Sequence, residues 1–163
     1  MENAWEIAVK MENEGIEYYN KLAMETDNNE LEGVFKFLAG QEEEHKKYFE
    51  SIEHCVTGKY PKTEDAKSKA KEVFKKMAPK FKASEKILLA VDAYKKAITF
   101  EEKSVEYYTS LISEAESENQ REIIKLIINE EKNHVATLEL LIDFVNRPNE
   151  WLEDAEFNNR EDY

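Results

Sequence analysis

Glutamate and histidine recur in this sequence at a spacing that suits metal binding. The segment INEEKNH contains Glu131 and His134, and the segment EEEH contains Glu42 and His45. A glutamate and a histidine three positions apart lie on one face of a helix, so both side chains can reach the same point. Carboxylate oxygens and imidazole nitrogens are common metal ligands. Each pair is therefore a candidate half of a metal site.

The two pairs belong to an internal repeat with an offset of 89 residues. Residues 97–114 match residues 8–25 at seven of 18 positions without a gap, which is too regular for unrelated helices. The same offset relates three pairs of candidate ligands: Glu12 and Glu101, Glu42 and Glu131, His45 and His134. The sequence thus predicts a duplicated helical hairpin, in which each copy carries one glutamate on its first helix and Glu-x-x-His on its second.

The six candidate ligands interrupt the apolar stripes of the predicted helices. Glu12, for example, stands between Ala8 and Ile16 at helical spacing, and we expect it to point into the interior. An ionised carboxylate taken out of water costs several kcal/mol even after relaxation. Two divalent cations would balance four carboxylates, and two neutral imidazoles would complete the ligand set. An oxygen-rich set with one imidazole per metal suits iron or manganese better than structural zinc.

Acidic residues next to the candidate ligands fall off these stripes. Of the adjacent pair in INEEKNH, only Glu131 shares a stripe with Ile127 and Leu138, so we expect it to face inward. His54 has no counterpart in the repeat and is interpreted as an ordinary surface or helix-end histidine. The acids expected on the solvated surface are Glu43, Glu44, Glu102 and Glu130.

Two tyrosines also match in the repeat. Tyr19 and Tyr108 each lie two turns after a candidate glutamate, on the inward stripe. Plain core packing and hydrogen bonds to the site carboxylates are equally open roles for them. Tyr18 and Tyr107 lie off the stripe and are expected to pack at the seams between helices.

The elements that must position these residues are four helices. Short polar turns link the first to the second and the third to the fourth, so each pair should form an antiparallel hairpin. The long connection between the hairpins, about 56–83, should contain a short helix from Thr63 to Met77. Two hairpins joined by a long crossover give an all-α, ferritin-like four-helix bundle. The approximate bounds of the four helices are 3–26, 29–55, 84–116 and 118–146, with Ser84 capping the third.

The bundle is expected to form one domain over residues 1–147. Pro148 should end the fourth helix. The C-terminal tail, residues 148–163, could dock through a short helix that presents Trp151, Leu152 and Phe157.

The composition restricts the classes of function. The chain has 36 acidic and 23 basic residues among 163, a net charge of −13, which argues against nucleic acid or an anionic membrane as partner. No apolar run is long enough to cross a membrane. The single cysteine, Cys55, can form neither an internal disulfide nor a CxxC metal site, which favours a reducing compartment. These features predict a soluble, cytoplasmic protein.

The residues around the candidate ligands resemble the rubrerythrin-like branch of the ferritin-like superfamily. The resemblance covers most of residues 5–145 and implies a four-helix bundle with a non-haem di-iron centre. It also implies that Glu42 and Glu131 bridge the metals and that the other four ligands bind one metal each. The segments that carry it are ENEGIEYYNKLA with Glu12, EEEH with Glu42 and His45, EEKSVEYYTSL with Glu101, and EKNH with Glu131 and His134.

The sequence departs from that family in two ways. Rubrerythrins proper carry a further glutamate about three residues after the ligand of the third helix, where this chain has Ser104. They also carry a rubredoxin-type iron domain with paired CxxC motifs, which this sequence does not contain. The first departure weighs against the rubrerythrin peroxidase mechanism, and the second implies that electrons come from a separate protein such as a rubredoxin.

The leading functional hypothesis is a redox enzyme with two iron ions, or manganese in their place, that reduces hydrogen peroxide or dioxygen. The alternatives left open are iron binding with ferroxidase-linked storage, a di-metal oxygenase, a manganese catalase-like activity, and a helical interaction module with a vestigial site. Storage needs a large hollow assembly, whereas we expect a homodimer.

Overall fold

The computed structural model describes residues 2–53 and 60–150, and every regular element within them is a helix. The elements are α1 (Ala4–Glu25), α2 (Asn29–Glu53), α3 (Ala66–Met77), α4 (Glu85–Leu89), α5 (Val91–Leu111), a 3₁₀ turn (Ile112–Glu114) and α6 (Glu118–Asn146). This confirms the predicted all-α, ferritin-like bundle. None of these helices is both long and apolar enough to pass through a lipid bilayer.

The duplication of the sequence is visible as two antiparallel hairpins. Helix α1 packs along α2, and α5 packs along α6. Helices α2 and α6 begin at Asn29 and Glu118, 89 positions apart, so the sequence offset is also the structural offset. Capping side chains mark the start of the first hairpin and the turn of the second. The Asn3 side chain forms a capping box with Glu6, and Ser117 accepts a hydrogen bond from the backbone of Gln120.

The crossover between the hairpins contains α3, which packs on α6. The helix begins at Ala66 rather than at the predicted Thr63, because Asp65 caps its N-terminus by accepting a hydrogen bond from the backbone of Ser68. The Phe74 ring stacks on Phe144 of α6, with ring centroids 4.8 Å apart. This contact attaches the crossover to the second hairpin.

The predicted third helix is interrupted. Ser84 caps α4 as expected, but α4 ends at Leu89 and α5 starts at Val91. Ala90 between them has ψ −9°, far from the value of an α-helix, and its N–H is shared among the carbonyls of the preceding turn. The sequence gives no glycine or proline at this point, so the break was not predicted.

A polar layer divides the buried apolar residues into two groups. On α2, Leu38 belongs to one group and Phe49 to the other. On α6, the corresponding members are Leu138 and Ile127. The candidate ligands of both helices lie between these residues, so the site crosses the middle of the bundle.

Some predictions fall outside the described residues. They concern the end of the second helix with His54 and Cys55, and the C-terminal tail beyond residue 150 with Trp151, Leu152 and Phe157.

Candidate metal centre

The structure brings all six candidate ligands together in the interior of the bundle. Each has an exposed fraction of 1% or less. They form two overlapping groups of four, and the ligand atoms within a group lie within 4.8 Å of one another. The first group is Glu12, Glu42, His45 and Glu131, and the second is Glu42, Glu101, Glu131 and His134.

Each group of four takes three residues from one hairpin and the fourth from the other hairpin. Helices α1 and α5 contribute one glutamate each, and α2 and α6 contribute a glutamate and a histidine one helical turn apart. Glu42 and Glu131 belong to both groups. This arrangement provides three carboxylates and one imidazole at each of two neighbouring positions.

Unpaired polar atoms concentrate in this cluster. Among the described residues, five buried side-chain atoms have no hydrogen-bond partner, and all five belong to the six candidate ligands. Both carboxylate oxygens of Glu131 are among them, as is Nδ1 of His45, which lies 2.5 Å from one of those oxygens without hydrogen-bond alignment. Buried polar atoms are nearly always paired in native proteins. The donor set therefore fits cations that would satisfy these atoms.

Burial and mutual repulsion shape the electrostatics of the carboxylates. Burial, followed by the charge of Glu42, raises the pKa of Glu12 well above its usual value. Burial and the charges of Glu101 and Glu42 do the same to the pKa of Glu131. Without cations, the cluster therefore favours bound protons.

The pKa values of both histidines are raised, although burial alone would lower them. Burial alone would lower the pKa of His45, but the charges of Glu12 and Glu131 outweigh it and raise the pKa well above the usual range. For His134, burial is likewise outweighed by Glu101, and the pKa rises to about 10. The surrounding carboxylates thus favour the positively charged form of both imidazoles in the metal-free protein.

The two tyrosines bond across the halves of the repeat. The Tyr19 hydroxyl donates to Glu101 at 2.5 Å, and the Tyr108 hydroxyl donates to Glu12 at 2.7 Å. Each hydroxyl fixes one carboxylate oxygen, and the other oxygen of each carboxylate has no hydrogen-bond partner. Tyr18, in contrast, donates to the backbone carbonyl of Ala93 outside the cluster.

Glu130 does not lie on the solvated surface, which corrects the expectation from the sequence. Its side chain is 17% exposed, and its carboxylate accepts a 2.7 Å hydrogen bond from Nε2 of His45. Tyr60 and Thr63 of the crossover donate to the same carboxylate. Of the other three acids, Glu43 and Glu102 are exposed and Glu44 is half-buried.

Gln41 accepts a hydrogen bond from His134, as Glu130 does from His45. Its amide nitrogen donates to the carbonyl of Glu64 at 2.7 Å, so its oxygen is left to accept from Nε2 of His134, also at 2.7 Å. In both histidines Nε2 donates to this partner, and Nδ1 faces the carboxylates. Partners of this kind fix the tautomer and orientation of metal-binding imidazoles.

Sequence reasoning missed Gln41, Tyr60 and Thr63. The repeat contained a usable signal for the first, because Gln41 and Glu130 are separated by 89 residues and each directly precedes a candidate ligand. No pattern identified Tyr60 and Thr63, since they lie outside the repeat. All three residues, with Glu130, line a pocket of about 430 Å³ on the outer side of the histidines.

Ser104 occupies the position of the missing family glutamate. It is 2% exposed, and its hydroxyl donates to the carbonyl of Phe100 at 3.2 Å. The side chain is engaged within its own helix and adds no carboxylate to the cluster.

Comparison with known proteins gives one match. The family model described as Rubrerythrin matches residues 3–142. Searches of curated proteins and of solved structures found no significant match. The family match and the buried carboxylate–imidazole cluster together point to a site for two metal ions.

Proposed function

This chain belongs to the rubrerythrin family, and from that premise we propose that it is a di-iron protein that reduces hydrogen peroxide or dioxygen. The observation that carries the proposal is the buried set of four carboxylates and two imidazoles in two groups that share Glu42 and Glu131. An oxygen-rich set with one nitrogen per metal suits Fe²⁺ or Mn²⁺.

Six residues would hold the pair of metals. Glu42 and Glu131 belong to both groups and would contact both ions, while each remaining ligand would contact one: Glu12 and His45 the first, Glu101 and His134 the second. Two ferrous ions would supply the electrons that split the O–O bond of the oxidant.

The protein contributes geometry, charge balance and exclusion of water. Four carboxylates neutralise two divalent cations, so a loaded site carries no net charge from these ligands. Tyr19 and Tyr108 hold two of the carboxylates, and Gln41 and Glu130 hold the imidazoles, so the donor atoms stay aimed at the centre. Full burial keeps bulk water away from the reacting oxidant.

Reduction of a peroxide to water consumes two electrons and two protons, so turnover needs a reductant. We propose that a separate donor protein, such as a rubredoxin, supplies the electrons, because the single cysteine in this sequence cannot build a rubredoxin-type iron centre. We also propose a cytoplasmic location, because ferrous iron and a reduced donor both require a reducing compartment. The proposed assembly is a homodimer.

Stopped-flow mixing of the anaerobically iron-loaded protein with hydrogen peroxide tests this function. The expected result is oxidation of protein-bound iron much faster than that of the same concentration of free Fe²⁺ in the same buffer. Glu131→Gln is the matched control, because it removes a shared carboxylate at almost constant volume. Equal rates for bound and free iron would overturn the proposal.

Two further measurements separate this proposal from its alternatives. Reduced rubredoxin should be oxidised continuously when peroxide is added to the loaded protein, and only slowly without the protein. Native mass should correspond to a dimer. A cage of many subunits would instead favour iron storage, and stoichiometric manganese in protein purified without added metal would favour a catalase-like activity.

A further inference from the structure

We propose that Glu130 makes the two metal positions unequal, so that the position beside His45 binds the first metal ion and the position beside His134 binds the second. This inference rests on the proposed two-metal site and specifies its order of loading. It assigns Glu130 as a positioning residue that acts through His45.

The six ligands are symmetric between the two halves of the repeat. Every ligand in one half has an identical counterpart in the other half, so the six ligands alone give no reason for one position to bind more tightly. The tyrosines that support the terminal glutamates are also identical. The symmetry fails at the partners of the histidines, where Gln41 in the first half corresponds to Glu130 in the second.

The contacts of the two partners are geometrically alike but differ in charge. Each accepts from Nε2 of the histidine in the opposite half at the same distance, 2.7 Å. Glu130 receives two more hydrogen bonds, from the hydroxyls of Tyr60 and Thr63, and three donors on one carboxylate stabilise its anionic form. Gln41 is a neutral amide fixed by the carbonyl of Glu64.

The extra negative charge acts more strongly on the metal position beside His45 than on the position beside His134. A carboxylate partner draws the Nε2 proton of His45 more strongly than an amide does, which raises the basicity of Nδ1 where the metal would bind. The charge itself also attracts a cation in a site that water does not screen. Partners of metal-binding histidines typically change metal affinity by about 10–100-fold, so we expect a difference of that order between the two positions.

Partial loading followed by crystallography tests the order directly. Metal-free protein receives one equivalent of Fe²⁺ under anaerobic conditions, and anomalous scattering at the iron edge gives the occupancy of each position. In the wild type we expect most of the iron beside His45. In the exchange variant Gln41→Glu/Glu130→Gln, which keeps composition and net charge, we expect most of it beside His134.

Two single variants complete the design. Glu130→Gln should make the occupancies nearly equal and lower the tighter affinity measured by chelator competition. Glu43→Gln removes one charge from an exposed position beside Glu42 and should leave the preference for the His45 position unchanged. Thermal unfolding of each variant, followed by circular dichroism, shows that the fold is retained.

The outcomes discriminate between this inference and the function on which it rests. Equal occupancy in the wild type, or a preference that the exchange does not move, would overturn the role of Glu130 while leaving the two-metal site intact. Failure of Fe²⁺ to bind at either position would overturn the two-metal site and this inference with it.

Discussion

The hydroxyl of Tyr19 donates a hydrogen bond to Glu101, which follows it by 82 positions and belongs to the other half of the repeat. Tyr108 makes the equivalent bond to Glu12 in the reverse direction. Neither tyrosine contacts the glutamate two turns before it on its own helix through a hydrogen bond. The two bonds therefore tie α1 to α5 across the metal site.

We expect Tyr19→Phe and Tyr108→Phe each to lower metal affinity by about 10-fold, because each releases one carboxylate oxygen from its fixed orientation. Competition with a coloured chelator under anaerobic conditions measures the change. Tyr18→Phe and Tyr107→Phe are matched controls, since those hydroxyls donate to the backbone carbonyls of Ala93 and Ala4. Equal losses in the control variants would show that the effect is not specific to the cluster.

The shared glutamates should matter more than the terminal ones. We expect Glu42→Gln or Glu131→Gln to lower bound metal by more than half, whereas Glu12→Gln should lower it by about half, because Glu12 belongs to one group only. Elemental analysis of protein loaded with excess Fe²⁺ and then desalted gives the stoichiometry. Glu102→Gln, at an exposed neighbour of Glu101, should retain full loading.

Metal binding should release protons at neutral pH. The pKa of Glu131 is raised by burial and by neighbouring carboxylates, and the pKa of His134 is raised to about 10, so both shifts favour the protonated forms in the metal-free protein. A ligand must lose its proton to bind a metal, so affinity should rise with pH. Calorimetric titrations in buffers of different ionisation enthalpy detect the release. Identical heats in all buffers would contradict it.

Neutralising one carboxylate should stabilise the metal-free protein. An acid whose pKa is higher in the folded state than in the unfolded state costs free energy of folding at neutral pH, and this cost disappears below the unfolded value. We expect Glu131→Gln to raise the melting temperature of the metal-free protein by about 2–4 °C at pH near 7, if it removes roughly 1 kcal/mol, and to have little effect at pH near 4. Metal should stabilise the wild type more than this variant.

The crossover helix should contribute to stability independently of the metal. Phe74 is fully buried and stacks on Phe144, so Phe74→Ala should lower the free energy of unfolding by about 3–5 kcal/mol. Chemical denaturation of the metal-free protein measures it. Val73→Ala, at a half-buried neighbour, should cost much less. Similar losses in both variants would argue against a specific role for the stack.

The sequence alone predicted the hairpins and the six residues that converge. Helical periodicity indicates which side chains share a face of one helix. The constant offset of the repeat indicates that the two helices of each half belong to one repeated unit. Because the ligands interrupt apolar stripes near mid-length, their helices could bury those stripes only by bringing the ligands into one layer. The start of a helix was also predicted where a capping side chain marked it, as Ser84 does.

Tertiary structure decided the relations between helices. A stripe gives the direction of a side chain relative to its own axis, but it does not say which neighbour reaches that side chain. Only the structure shows that Tyr19 donates a hydrogen bond to Glu101 of the other hairpin and not to a residue of its own hairpin. Glu130 lies off the inward stripe, so the sequence predicted a solvent-exposed side chain. In the structure its carboxylate accepts hydrogen bonds from His45 and from Tyr60 and Thr63 of the crossover. The crossover lies outside the repeat, so only the packed chain shows that it closes one side of the site.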